Sequence, residues 1–263
     1  IIGFNDQIAW GVTNSQRDVK DYYTIKFKDH LKKEYWFDST WKPAQQRVEE
    51  IKVKGEASVY DTVSYTVFGP VIYDAAYADT VAKQEALAVT WAAHHTGDDG
   101  GAFYKLNRAT NYNEYVDAIK NFECPGQNFV FASKGGDIAI WQQGKFPDRW
   151  QGQGQYIMPG ADSSYMWQGY IPQNENPHAL NPERGFLESA NQRPVDASYP
   201  YFIPGTYITP RGIAIEHFLS KMNSINVQEM MQLQNNYYNV LASKMVPIFL
   251  SYTDEAALST EAK

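Results

Sequence analysis

The alternation of side chains over 59–67 restricts the fold more than any other feature of this sequence. Val59, Asp61, Val63, Tyr65 and Val67 share one face of an extended chain, and Tyr60, Thr62, Ser64 and Thr66 share the other. A strand over 48–54 precedes it, and Gly55 lies in the connection, so the pair predicts a hairpin. A second hairpin is predicted from 128–133 and 137–142 about Gly135 and Gly136, with Phe129, Phe131, Ile138 and Ile140 buried. A hairpin joins antiparallel strands.

Other segments follow the same logic. Residues 1–14 read as strand, turn and strand, with Gly3, Asn5 and Asp6 in the turn. Strands are predicted at 22–27 and 86–91, and 36–43 reads as irregular. A helix is predicted over 111–122, capped by Asn111 and Glu114 and striped by Tyr112, Tyr115, Ile119 and Phe122. Late in the chain Ile215, Phe218, Leu219 and Met222 stripe one helix, and Asn226 and Glu229 cap a second. Tyr238, Leu241 and Met245 stripe a third, which Pro247 is expected to end. No repeat or linker divides 1–263. The expected layout is strands with one helix over 1–142, a long irregular and strand region over 143–210, and helices over 211–250. Residues 143–178 are rich in Gly, Pro, Gln and aromatics, and so long a connection is expected to pack over a site or a neighbouring segment. The polar tail from 254 onward is expected to fray.

Composition removes several function classes. The net charge is -7 with no Lys/Arg cluster, which argues against a nucleic-acid partner. No run reaches the ~18 apolar residues of a membrane span. Cys124 is the single cysteine, so neither an internal disulfide nor a cysteine metal site is available. His94 and His95 are adjacent and share no face, which disfavours a metal there. The aromatic content of 15% is read as sheet packing and buried tyrosine ahead of a ligand surface. The chain opens on Ile1-Ile2-Gly3, like the inside of a strand, with no initiator Met and no signal peptide. We therefore expect a segment of a longer polypeptide.

Two places invite chemistry. Over 181–194 a strand at 185–190 is expected to run into a turn carrying Asn191, bounded by Pro182 and Pro194. A neutral amide on a rigid corner can donate to a developing oxyanion, or can satisfy its own turn. Asp18 and Asp21 lie three apart in a loop, where they could share calcium with backbone carbonyls or simply cap turns.

Ordered phrases then connect these places. They are Gly-Phe-Asn-Asp-Gln-Ile-Ala-Trp-Gly-Val-Thr-Asn at 3–14, Asp-Val-Lys-Asp at 18–21 and Gly-Pro-Val at 69–71. Pro-Gly-Gln-Asn-Phe-Val-Phe-Ala at 125–132, Met-Pro-Gly at 158–160 and Trp-Gln-Gly-Tyr-Ile-Pro at 167–172 follow. The last is Asn-Pro-Glu-Arg-Gly-Phe with Ala-Asn-Gln-Arg-Pro, within 181–194. In this order they resemble the penicillin acylase (penicillin amidase) family of N-terminal nucleophile hydrolases, over nearly the whole chain. The resemblance implies an α+β fold, part of an αββα sandwich of antiparallel sheets between helical layers. It implies a self-cleaving precursor whose exposed N-terminal serine attacks an amide, with its own α-amine as base. The partners implied are a small-molecule N-acyl amide substrate and the remaining α and β segments of the precursor. The location implied is periplasmic or secreted.

Carried over by position, the backbone oxyanion donor is Asn14 and the side-chain donor is Asn191. Arg211, in Thr209-Pro210-Arg211, orients that amide and the nucleophile's amine. Ile2 and Val12 line the acyl pocket. Asp18, the Lys20 carbonyl and Asp21 match part of a structural calcium site, and catalysis needs no cofactor. The sequence departs from the family in three ways, one being that the family has large sequence beyond the helices that end this chain. The nucleophile's place lies before Gly3, and Ile1 cannot replace it. Ser198-Tyr199-Pro200-Tyr201-Phe202 offers no carboxylate where some members have another calcium ligand. Residues 1–263 alone are therefore expected to be inactive. Two alternatives remain: a non-catalytic interaction module using 143–178, and an acylase for other N-acyl substrates such as acyl-homoserine lactones. Trp-Gly-Val-Thr-Asn leans towards the penicillin acylase branch.

Overall fold

The structure, a computed structural model, describes residues 2–73, 86–95, 97–254, 256 and 258–261. Its first strands are β1 (Ile2–Phe4), β2 (Ile8–Asn14), β3 (Lys20–Ile25), β4 (Glu34–Phe37) and β5 (Thr40–Pro43). Next come β6 (Gln45–Ile51), β7 (Val59–Thr66), β8 (Gly69–Tyr73) and β9 (Ala86–Trp91). Helices α1 (Asp99–Leu106) and α2 (Tyr112–Ile119) precede the pair β10 (Gln127–Ser133) and β11 (Ile138–Gln143). Short strands follow: β12 (Pro147–Asp148), β13 (Met158–Pro159), β14 (Gly169–Tyr170) and β15 (His178–Leu180). The last elements are α3 (Pro210–Leu219), α4 (Val227–Gln234) and α5 (Val240–Ser251).

One sheet runs β1-β2-β10-β11-β15, antiparallel throughout. A second runs β13-β3-β9-β8-β7-β6, antiparallel except where β13 joins β3. The α+β class with antiparallel sheets and helices is therefore as expected. Both predicted hairpins form, β6 with β7 and β10 with β11.

The first sheet buries one face under α1 and α2. Ile8, Trp10, Phe129, Phe131, Ala139 and Trp141 meet Ala102, Leu106, Tyr115, Ala118, Ile119 and Phe122 there. Each large apolar side chain so buried contributes on the order of 2–3 kcal/mol. The Tyr115 hydroxyl stays satisfied by donating to the Phe129 carbonyl at 2.9 Å. The second sheet has its own core of Tyr23, Ile25, Tyr35, Phe68, Val71, Ala88 and Met158, with Tyr23 stacked on Phe68 at 4.1 Å. The aromatic residues thus serve packing to a large extent.

Five expectations need correction. Phe129 and Phe131 are buried, but Ile138 and Ile140 are only partly so, because Ala139 and Trp141 are the residues that share the phenylalanines' face across the hairpin. The described residues of 1–142 hold two α-helices, not one: α1 begins just after His94-His95, where no helix is expected. Its glycines are poor helix formers, but the Asp98 side chain caps it by accepting from the Gly101 N–H, and Ala102 and Leu106 bury. Residues 36–43 are not irregular but supply most of the β4–β5 hairpin. Asp38 and Ser39 both take positive φ, at 46° and 63°, the geometry a two-residue hairpin turn requires. No strand forms over 185–190, where side chains rather than a ladder hold the segment. Pro247 sits inside α5 instead of ending it, and the helix continues to Ser251. Of the polar tail, residues 255, 257, 262 and 263 lie outside the described residues.

Candidate functional site

Asn191 adopts φ 65°, the left-handed conformation that Asn tolerates better than other side-chain-bearing residues. The turn is fixed from both sides. Gln192 accepts the Ala190 N–H at 2.6 Å and donates to Glu188 at 2.9 Å. Helix α3 packs closely on Gln192, for a Cβ at Gly212 would come 3.3 Å from the Gln192 Cδ. Pro210 opens α3, where a missing N–H costs nothing, and so sets Arg211 in the first turn.

Three expected residues meet here. Asn191 Nδ2 donates to the Asn14 carbonyl at 2.7 Å, across 177 positions of sequence. Arg211 Nη2 donates to Asn191 Oδ1 at 2.8 Å. A guanidinium has no acceptor, so the amide oxygen must face Arg211 and the NH2 group must face Asn14. One of the two amide hydrogens holds the carbonyl, and the other has no hydrogen-bond partner among the described residues.

The backbone of Asn14 is placed by the ladder. The Ser15 N–H donates to the Gly126 carbonyl at 3.1 Å, and Asn14 is opposite Gln127. Successive residues of an antiparallel strand point their polar groups to opposite sides. The N–H and C=O of Asn14 therefore turn away from β10, towards the side where Asn191 reaches the carbonyl. Among the described residues, β1 pairs with Ala9 to Gly11 and not with Asn14. Two neutral donors thus share one side of the strand end. Such an arrangement can hold a carbonyl oxygen as it gains charge.

Ile2 and Val12 do not come together in the same way. Ile2 is opposite Gly11, so both share a face, whereas Val12 lies on the other face with Trp10. Val12 packs against the core beneath α1 and α2, while Ile2 is 85% exposed.

At the predicted metal residues lies Arg149, which no local sequence pattern announces. Its guanidinium, with the side chain 1% exposed, lies 3.0 Å from Asp21 Oδ2 and 3.8 Å from Asp18 Oδ1. It also donates to the Asp18 carbonyl at 2.9 Å. Trp167 Nε1 donates to Asp21 Oδ2, and the Trp167 ring faces the guanidinium at 5.5 Å. Burial pushes the Asp21 carboxyl above the ordinary aspartate range, against the opposing pull of Arg149 and Trp167. Gly154 is obligatory beside it, since a Cβ would lie 2.4 Å from Asp21 Oδ1. The Lys20 amine lies over the Tyr22 and Trp91 rings. Calcium takes six to eight oxygens. Among the described residues no third acidic, His or Cys group joins the two carboxylates. A built-in cation already faces both. These residues do not by themselves fit calcium.

Comparison with known proteins gives a consistent picture. The sequence model described as Penicillin amidase matches residues 1–262. An acyl-homoserine lactone acylase, QuiP, of Pseudomonas syringae pv. tomato is 28% identical over 94% of this chain and 30% of that protein. Penicillin G acylase of Escherichia coli is 26% identical over 76% of this chain and 23% of that protein. The thermostable penicillin G acylase structure from Alcaligenes faecalis superposes with a TM-score of 0.79 at 24% identity, covering 97% of this chain and 46% of that one. The chain spans about 30% of the length of the first curated relatives it matches.

Proposed function

The chain belongs to the penicillin amidase family, and from that premise we propose that the protein it forms part of hydrolyses N-acyl amides. The observation that carries this reading is the link from Asn14 through Asn191 to Arg211. In the proposed reaction a serine hydroxyl from outside 1–263 attacks the substrate carbonyl. Its own α-amine, which titrates near neutrality, takes the proton. The carbonyl oxygen becomes the oxyanion and is held by the Asn14 N–H and the free Asn191 N–H. Arg211 keeps the amide turned and polarises it. Collapse of the tetrahedral species passes that proton to the departing nitrogen, expels the amine and leaves an acyl-serine, which water then cleaves to the acid and free serine. Each donor of this kind is worth on the order of 10²- to 10³-fold in rate.

A second reading narrows the substrate to acyl-homoserine lactones. The relatives of that name align over 94% of this chain, against 76% for the penicillin acylases. Incubating the matured full-length protein with a chromogenic phenylacetyl anilide and with acyl-homoserine lactones, and measuring amine release, separates the two. Turnover of neither would sink the proposal. Residues 1–263 alone are expected to release no amine from either substrate.

A further inference from the structure

Behind the Asn14 carbonyl lies a buried polar chain that the reading above does not use. Asn128, the second residue of β10, is opposite Thr13 and 5% exposed. Its Nδ2 lies 3.2 Å from the Asn14 carbonyl, 3.1 Å from Thr13 Oγ1 and 3.0 Å from Ser189 Oγ. The two hydroxyls are themselves 2.6 Å apart. Asn128 Oδ1 accepts from Gln142 Nε2 at 3.2 Å, and Gln142 Oε1 accepts from Arg17 Nη1 at 3.0 Å.

Arg17 decides the direction of this chain. A guanidinium only donates, so Gln142 must turn its oxygen to Arg17 and its NH2 group to Asn128. Asn128 must then turn its own NH2 group to Thr13, Asn14 and Ser189. No amide in the series can flip without losing a buried hydrogen bond. Arg17 is buried over the Phe146 ring at 4.2 Å, and no carboxylate pairs with it among the described residues. Burial lowers its pKa, while the nearby Tyr207 and Tyr199 push it back up. Hydrogen bonds aligned head to tail in such a setting strengthen one another.

We propose that Asn128 is a positioning residue that sets the spacing of the two oxyanion donors. It ties the end of β2, which carries Asn14, to Ser189, two residues before Asn191. This inference rests on the functional reading above. The direct Asn191–Asn14 bond is exposed and can exchange with water. The clip at Asn128 is buried and cannot exchange so readily. A catalytic donor displaced by about 1 Å can cost on the order of 10²-fold in rate.

The test compares Asn128→Ala, Ser189→Ala, Asn191→Ala and the Asn128→Ala/Asn191→Ala double variant in the matured full-length protein. Acylation of a chromogenic N-acyl anilide is followed by burst kinetics. Asn128→Ala is expected to lower kcat by on the order of 10- to 10²-fold with KM changed less than about twofold. The double variant should be no slower than Asn191→Ala alone, because a clip has nothing to place once the amide is gone. Ser189→Ala removes a single hydroxyl and carries the same expectation if Asn128→Ala does not mature. Wild-type kcat in the clip variants, or losses that multiply in the double variant, would overturn the positioning role and leave the oxyanion reading intact. An unchanged rate for Asn191→Ala would overturn the oxyanion reading, and the clip with it.

Discussion

Arg211 and Asn191 share one hydrogen bond, 2.8 Å from Nη2 to Oδ1, and that bond orients the amide. Without it the side chain could rotate and present its oxygen to the Asn14 side. Arg211→Ala in the full-length protein is therefore expected to lower kcat for an N-acyl anilide by on the order of 10- to 10²-fold. Arg211→Lys keeps a donor and should lose less. Equal rates for all three proteins would show that the amide needs no such guide.

Asn191 also bears the backbone conformation of its turn. Asn191→Ala and Asn191→Gly should lose activity alike, on the order of 10²- to 10³-fold, because neither has an amide. They should differ in stability. Glycine accepts φ 65° freely and alanine does not, so the Gly variant is expected to be the more stable by about 1 kcal/mol. Thermal midpoints of the two variants measure this. An alanine variant as stable as the glycine one would mean that the turn relaxes to another conformation.

The buried pair of Arg149 and Asp21 makes a thermodynamic prediction. Arg149→Met strands a carboxylate with a fully buried side chain and should cost about 3–5 kcal/mol in urea unfolding. Adding Asp21→Asn should return a large part of that loss. A double variant no better than Arg149→Met would place the damage in packing rather than charge.

Asp21 also gives a pH signature. Its carboxyl is raised by burial, so the folded protein holds this proton more tightly than the unfolded chain. Its contribution to stability is full below the ordinary aspartate pKa of about 3.9 and is lost as pH rises through the raised value. Wild type minus Asp21→Asn, in unfolding free energy, should therefore be larger near pH 3 than at pH 7. The opposite trend in paired denaturation curves would mean that Arg149 outweighs burial.

Local signals carried the sheets into view, and distant ones did not. Gly55 and Gly135-Gly136 between alternating strands marked two hairpins because a turn and its flanks are contiguous. The β4–β5 hairpin escaped because Asp38-Ser39 advertises positive φ less strongly than glycine. Pro247 misled because its cost, roughly 3 kcal/mol relative to alanine, is one that surrounding structure can bear. Asn191 stood out as an amide on a proline-bounded corner, where a turn role and a donor role could not be told apart, and Asn14 and Arg211 were legible through family phrases alone. Arg149 was not legible at all: 131 positions separate it from Asp18, and no local pattern reports such a pair. Asn128 looked like one polar residue at the start of a strand, and its role appears only once Ser189 is brought across to it.

The Arg17 chain has one more consequence. From Arg17 through Gln142 and Asn128 to Asn14, and from there through Asn191 to Arg211, each linking group is an amide, a peptide or an arginine. Amides do not titrate in water, and although burial lowers the Arg17 pKa, a guanidinium is not deprotonated in proteins. The frame proposed to receive the oxyanion is thus proton-silent. Acidity or alkalinity can alter what attacks the substrate, but the receiving side keeps its charge and its donors unchanged.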